Sequence, residues 1–380
     1  MDRREGNSWQ AGEVGILTFH CSDNYGAMLQ AYALKQCLRS NGVAADIVRY
    51  EPPFLTGRHW WIPYVPGRGV KGLMAAGYGF LRNLRAGGAF RRRRESMDRF
   101  RKACLTGQAQ PRVLFLPGLK KLPYRCYVVG SDQIWNPNIT CGLRRAYFGA
   151  FEGVRKERVV AYAASLGGAS LPDRYGQEFA ALLRNVDAVS LRETGAVSYV
   201  RQFFPGRVES VLDPVFLLGK EEWEKVERAP DRGKYILLYT TEPNRRMDGY
   251  ARALAQRKGL AVVGLQAAED GGAEVDREAG PAEFLGYVHH AEYVVTNSFH
   301  AAAFSILFEK RFLVFAHSQV NERLVSVLAL HGLESRLCRE GGEIDAPIDW
   351  AAVRGRTAAA AEASLNFLMK NVAGGQDEAV

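Results

Sequence analysis

Val294-Val295-Thr296-Asn297-Ser298-Phe299-His300-Ala301-Ala302-Ala303-Phe304-Ser305-Ile306-Leu307-Phe308 reads as a buried strand that stops at a polar turn and passes into a helix of small and apolar residues. Ser298 has the chemistry of an N-cap, so unpaired backbone N–H groups and the positive end of the helix dipole face whatever sits at the strand's end. Such a junction holds phosphate or carboxylate. His300, in the first helical turn, adds a side chain able to carry a proton. A surface histidine beside an ordinary strand–helix junction is the competing reading, and the rest of the chain has to decide between them.

The same grammar recurs along the sequence. Val14 to Thr18 is a short apolar strand, followed by the loop Phe19-His20-Cys21-Ser22-Asp23-Asn24-Tyr25-Gly26. A helix from Ala27 to Ser40 carries one apolar stripe, Asn41-Gly42 ends it, and Ala45 to Tyr50 is the next strand. This β-α-β opening implies a parallel sheet with a ligand crevice at its strand ends. Strands at Tyr127–Val129, Val159–Ala163 and Ala188–Leu191 each run into polar groups, and the turn at Phe204-Pro205-Gly206 is the expected interdomain boundary. The second half repeats the pattern: strand Tyr235–Tyr239, helix Met247–Lys258, strand Leu260–Gly264, a loop at Gly271-Gly272, a helix from Pro281, the opening junction, and strand Phe312–Phe315. An alanine-rich helix from Trp350 to about Val372 closes the chain. The expectation is an α/β protein with one lobe over 12–204, carrying an insert at 52–110 that is irregular and includes one or two helices, a second lobe over 205–349, a terminal helix over 350–372, and a site in the cleft.

Size and composition agree with that organisation. A chain of 380 residues is too long for one ordinary core, and 47% apolar content is globular. No apolar run approaches the roughly 20 residues that span a bilayer, and the polar start from Met1 to Gln10 is unlike a signal peptide, so a cytoplasmic location is expected. Six scattered cysteines form neither a C-x-x-C pair nor a Cys/His ligand pattern, and no metal is expected. His289 and His290, with no carboxylate cluster nearby in sequence, read as structural. The net charge of +9 is concentrated between Arg82 and Lys102, just after Trp60, Trp61, Tyr64, Tyr78 and Phe80. Basic residues beside interfacial aromatics suit peripheral contact with anionic lipid at an inner membrane face, and a solvated helix with no partner is the alternative. Nothing in the sequence marks a nucleic-acid partner.

Several junctions carry a family resemblance. Asn24-Tyr25-Gly26-Ala27, Gly130-Ser131-Asp132-Gln133-Ile134-Trp135-Asn136-Pro137, Tyr162-Ala163-Ala164-Ser165, Ser190-Leu191-Arg192-Glu193, Leu212-Asp213-Pro214 and Ser298-Phe299-His300 stand in a characteristic order. The chain resembles the polysaccharide pyruvyl transferase family from about Val14 to Leu337, with the run ending in Trp135-Asn136-Pro137 as the most specific signal. The resemblance implies two facing Rossmann-like lobes, similar to GT-B glycosyltransferases. It implies transfer of the carbon skeleton of phosphoenolpyruvate onto two hydroxyls of a sugar, giving a cyclic ketal and phosphate, with no further cofactor. It implies that Arg192, His300 and a later arginine, matched by Arg323, serve the donor, with Ser298 at the helix cap. The first lobe, with Asn24, Tyr25, Gly26, Asp132 and Gln133, would face a glycan or lipid-linked sugar acceptor. Ala301 and Asn297 depart from the family pattern, which often has Gly and Asp there.

The chemistry suits these residue types. Phosphoenolpyruvate carries a phosphate and a carboxylate on one small frame, which guanidinium groups and a helix N-terminus can hold together. Its methylene must take a proton before the central carbon is electrophilic, and His300 is the expected general acid. Plainer readings stand beside these: Arg192-Glu193 as a surface ion pair, Arg323 as a helical neighbour of Glu322, Asp132 as a loop cap, and His20 as an open case. A nucleotide-sugar glycosyltransferase and a non-catalytic glycan-pathway binding protein are the rival functions.

Overall fold

In the computed structural model the described residues are 12–57, 69–107, 110–265, 274–316, 322–339 and 342–373. Trp60, Trp61, Tyr64 and the Gly271-Gly272 loop lie outside them. Twelve strands form two wholly parallel sheets. The first contains β1 (Val14–Leu17), β2 (Ala45–Ile47), β3 (Cys126–Gly130), β4 (Arg158–Ala164), β5 (Ala188–Leu191) and β6 (Val208–Ser210), in the order β2-β1-β3-β4-β5-β6. The second contains β7 (Tyr235–Tyr239), β8 (Ala261–Leu265), β9 (Glu274–Asp276), β10 (Tyr293–Thr296), β11 (Arg311–Phe315) and β12 (Leu337–Cys338), in the order β12-β11-β10-β7-β8-β9. The central strands are near-continuous apolar runs because they are covered on both faces.

Helices of eight residues or more are numbered here: α1 (Tyr25–Ser40), α2 (Gly69–Phe100), α3 (Gly176–Leu183), α4 (Arg245–Lys258), α5 (Pro281–His290), α6 (Phe299–Leu307), α7 (Glu322–His331) and α8 (Trp350–Ala373). Their starts follow their caps: Asn24 accepts from Ala27 N at 3.1 Å, Asn244 from Met247 N at 3.1 Å, and Ser298 from Ala301 N at 3.5 Å. The predicted strands Ala188–Leu191 and Tyr235–Tyr239 coincide with β5 and β7. The GT-B-like expectation holds in its layout, with two parallel six-stranded lobes and a C-terminal helix.

One expectation changes. The turn at Phe204-Pro205-Gly206 is not where the chain leaves the first lobe, because β6 follows it and pairs with β5 through Val208, Glu209 and Ser210. The terminal helix returns to the first lobe: Ser364 Oγ accepts from Leu212 N at 2.9 Å, and Arg158 Nη1 donates to Asn371 O at 3.0 Å. The insert carries a helix as expected: α2 runs for 32 residues with a break at Gly87, whose φ of 42° and ψ of −108° are not helical.

The lobes are tightly joined. A single buried apolar cluster includes Ile16, Met28 and Val128 of the first lobe with Leu237, Phe284 and Val294 of the second. Tyr25, fully buried, reaches across: its hydroxyl donates to Ala279 O at 2.8 Å and its ring stacks on Phe284 at 5.0 Å. Arg92 pairs with Glu278 at 2.6 Å and Arg99 with Glu283 at 3.9 Å. Part of the basic run therefore pairs with the second lobe while its side chains stay more than half exposed, and Met74, Tyr78, Leu81 and Leu84 earlier on α2 are exposed. Among the described residues no helix is long and apolar enough to cross a membrane.

Candidate active site

A cleft of about 400 Å³ opens where the two sheets present their carboxyl ends to each other. The loop after β1 supplies Asn24 and the first turn of α1 supplies Gly26, the loop after β3 supplies Asp132 and Gln133, the start of α6 supplies Ser298 and His300, and α7 supplies Arg323. These are seven of the nine residues expected from sequence. Tyr25 does not line the cleft, because its ring serves the lobe interface. Arg192 does not line it either; it borders a second cavity of about 230 Å³, shared with Arg323 and Phe299.

The β10–α6 junction builds as its sequence implies. Ser298 occupies an extended backbone conformation and caps the helix. Asn297 is consumed by the loop itself: its Oδ1 accepts from Thr241 N at 2.8 Å and its Nδ2 donates to Glu242 O at 2.7 Å. Ala301 is fully buried. The first-turn N–H groups of Phe299 and His300 precede any intrahelical acceptor, so they remain for an anion.

His300 comes from the second lobe and packs directly on Gly26 of the first. A Cβ built on Gly26 would lie 1.9 Å from His300 Nδ1, so only glycine fits there. On the other side of the ring, Nε2 stands 3.8 Å from Asp213 Oδ2 and has no hydrogen-bond partner. Burial pushes the imidazole from 6.5 down to about 4; Asp213 and Asp132 act against this, and Arg192 and Arg323 add to it. Burial thus holds His300 neutral at physiological pH in the unliganded protein.

Asp213 is the organising residue that the sequence reading quoted only as part of Leu212-Asp213-Pro214. Its Oδ2 accepts from Arg192 Nη1 at 2.6 Å and from Ser131 Oγ at 3.4 Å, and its Oδ1 accepts from Val215 N at 3.1 Å. Arg192 Nη2 also reaches Asp132 Oδ1 at 3.4 Å. Asp132 adopts a φ of 69° and turns its carboxylate back to Gln133 N at 2.8 Å, so it both orders its loop and faces the cleft. Burial raises the Asp132 carboxyl, but Arg192, His300 and Arg323 outweigh it and leave the group below its usual range.

The surface-pair reading of Arg192-Glu193 fails because both are buried and their partners lie elsewhere: Glu193 Oε1 accepts from Leu166 N at 2.7 Å and Gly167 N at 3.1 Å. Arg323 has no carboxylate within ion-pair distance among the described residues. The Gln133 amide, with its oxygen turned toward it, accepts from Nη1 at 3.1 Å and Nη2 at 3.2 Å. Burial and neighbouring Arg192 lower the Arg323 guanidinium to about 10, which leaves it charged at neutrality. Phe299, missed from sequence although it sits inside Ser298-Phe299-His300, lies under both guanidinium groups, 4.9 Å from that of Arg192 and 5.9 Å from that of Arg323.

The sequence model of the polysaccharide pyruvyl transferase family matches residues 24–319. The chain belongs to that family. The matched span contains both cleft walls, from Asn24 to His300, and ends just before Arg323. Among solved structures, a UDP-glucosyltransferase from Polygonum tinctorium is similar at 11% identity, covering 97% of this chain and 99% of that one, with a TM-score of 0.40. A spinosyn rhamnosyltransferase bound to thymidine diphosphate is similar at 12% identity, covering 94% of this chain and 96% of that one, with a TM-score of 0.33. An uncharacterised protein from Klebsiella pneumoniae matches at 11% identity over 66% of this chain and 87% of its own, with a TM-score of 0.33. Comparison with curated proteins gave no match.

Three histidines outside the cleft also find their setting. His20 is fully buried, with Nδ1 3.3 Å from Thr18 O and Nε2 without a partner. His289 and His290 meet the carboxylate that their sequence neighbourhood lacks: Glu227 lies 2.9 Å from His289 Nδ1 and 3.0 Å from His290 Nε2.

Proposed function

We propose that this pyruvyl transferase moves the carbon skeleton of phosphoenolpyruvate onto two hydroxyls of a sugar, forming a pyruvate ketal and releasing phosphate. One observation carries the reading. His300 presents a buried, unpartnered ring nitrogen beside a capped helix N-terminus and beside Arg323, a guanidinium with no carboxylate within ion-pair distance among the described residues. A small dianion with an acid-labile enol ether matches that set.

Phosphoenolpyruvate places its anionic groups against the α6 N-terminus and Arg323. Its negative charge offsets the two guanidinium groups that add to burial in holding His300 low, so the imidazole takes up a proton on binding. His300 then donates that proton to the methylene carbon, which becomes a methyl group as positive charge develops on the central carbon. The first sugar hydroxyl attacks there and passes its proton back to His300. The bond from carbon to the phosphate oxygen breaks, with Arg323 stabilising the departing charge. The second hydroxyl closes the ketal, and its proton leaves with phosphate. Arg192 acts as a positioning residue, because its guanidinium is spent on Asp213 and Asp132.

Turnover tests this reading. Incubating the protein with phosphoenolpyruvate and a panel of sugars with suitable diols should release phosphate in step with a product that gains the mass of the ketal. His300→Gln should abolish release while still binding phosphoenolpyruvate. Full activity in that variant would overturn the assignment.

A further inference from the structure

His289 and His290 end α5, and the carboxylate they share comes from another part of the chain. Glu227 belongs to the segment that runs from β6 to β7 and so joins the two lobes. Its Oε2 lies 2.9 Å from His289 Nδ1, and its Oε1 lies 3.0 Å from His290 Nε2. The Glu227 side chain is only 11% exposed, and no lysine or arginine stands within ion-pair distance of it among the described residues. The nearest cations are engaged elsewhere: Lys310 Nζ donates to His289 O at 2.7 Å, and Lys220 Nζ lies 3.6 Å from Glu224 Oε1. On the far side of the His289 ring, Nε2 faces Glu224 Oε1 at 3.7 Å. Backbone contacts hold the segment here without help from these side chains. Arg228 N donates to Ala282 O at 2.9 Å, and a Cβ on Gly286 of α5 would stand 2.0 Å from Arg228 O. The His289 ring also stacks on Phe308, just past the end of α6, at 4.4 Å.

Two imidazoles and a carboxylate suit zinc among the divalent ions. One ligand atom from each of Glu227, His289 and His290 lies within 4.8 Å of the other two. Ligand atoms bound to one tetrahedral zinc stand roughly 3.3–3.4 Å apart, a few tenths of an ångström beyond the two separations from Glu227. Glu224 adds the outer partner, since a zinc-bound histidine usually gives its other ring N–H to a carboxylate, which fixes the ring. We propose that Glu227, His289 and His290 bind one zinc ion, with Glu224 orienting His289. The ion takes the place of the two ring protons that otherwise bridge to Glu227, and a water fills its fourth position. None of the four residues lines the cleft, so the metal is structural. It pins the inter-lobe segment to α5 and, through His289, to the far end of the helix that carries His300. Sequence spacing hides the site because Glu227 stands 62 residues before His289. Zinc at this place is independent of what the cleft binds.

Calorimetric titration of Zn²⁺ into the full chain, stripped of metal and prepared without a histidine tag, tests the site. The native protein should take up one Zn²⁺ with release of protons, and Mg²⁺, which prefers oxygen ligands, should not compete. Glu224→Ala removes only the orienting group and should weaken Zn²⁺ by roughly 10–100-fold. His290→Asn, at the most exposed of the three ligands, and Glu227→Gln each remove a ligand and should weaken it further. Zn²⁺ should raise the thermal midpoint of the native protein and leave those of His290→Asn and Glu227→Gln unmoved at the same concentration. Midpoints measured without metal show that each variant is folded, and Glu224→Ala keeps all three ligands as a second check. Co²⁺ in place of Zn²⁺ should give the visible absorption of a four-coordinate site, lost in both ligand variants. A native chain that takes up no Zn²⁺, or uptake equally tight in native, His290→Asn and Glu227→Gln proteins, would overturn the site.

Discussion

Gly26→Ala isolates the contact on which the cleft geometry depends. Gly26 has no left-handed φ, so alanine costs nothing in backbone conformation and brings up to about 1 kcal/mol of helix propensity. Its methyl carbon, however, would stand 1.9 Å from His300 Nδ1, and either the imidazole or the lobe contact must move. Forcing one extra carbon into a packed site costs about 1–3 kcal/mol. The same substitution made on a His300→Ala background meets no ring and keeps its propensity gain. The propensity gain is common to both backgrounds and cancels, so the coupling between the two positions is the packing cost alone, about 1–3 kcal/mol. Denaturant unfolding of the native protein, both single variants and the double variant measures it as a cycle. Phosphate release should meanwhile fall by roughly two to four orders of magnitude in Gly26→Ala, the range of a displaced general acid. Effects on stability that add within about 0.5 kcal/mol would refute the contact.

Three further outcomes separate the roles of individual groups. Arg192→Ala should destabilise the protein by about 3–5 kcal/mol, because it strands two buried carboxylates, and denaturant unfolding reads this directly; Arg323→Ala should leave stability nearly unchanged and cost donor affinity. Phosphoenolpyruvate binding should take up protons between about pH 4, where free His300 titrates, and neutrality, and His300→Gln should remove that uptake in calorimetry across buffers of different ionisation enthalpy. His20 and His300 are both held neutral down to about pH 4, whereas the unfolded chain protonates them below about 6.5. Stability should therefore fall as pH drops through that window, by up to about 3 kcal/mol for each group, and His20→Asn should shrink the slope measured by unfolding midpoints.

Local chemistry made much of the fold legible. Buried parallel strands are apolar runs bounded by polar turns, so β5 and β7 could be placed to the residue, and Ser298 capped its helix as serine does. The short edges β6, β9 and β12 were not legible. Val208-Glu209-Ser210 has only one buried apolar residue, and its strand character comes from its neighbour β5. The site followed the same division. Residues whose roles are local, such as Asn24 and Ser298, could be read from their positions. Tyr25 could not, because its ring acts on the opposite lobe, and Asp213 acquires its importance only when folding brings Arg192, Ser131 and His300 around it. The proton state of His300 was equally hidden, since burial sets it. The basic run looked like one surface, but tertiary contacts divide it between pairs to the second lobe and the wall of a polar cavity that Arg94, Arg101 and Lys102 line.

The central claim is that this cleft is a phosphoenolpyruvate site built on Arg323 and the α6 N-terminus. Calorimetric titration of phosphoenolpyruvate into the native protein and into Arg323→Ala, with nucleotide sugars in parallel, tests it most directly. The account expects saturable binding of phosphoenolpyruvate that is lost in the variant, whose thermal midpoint stays close to native. Binding of a nucleotide sugar without phosphoenolpyruvate, or phosphoenolpyruvate binding indifferent to Arg323, would contradict it.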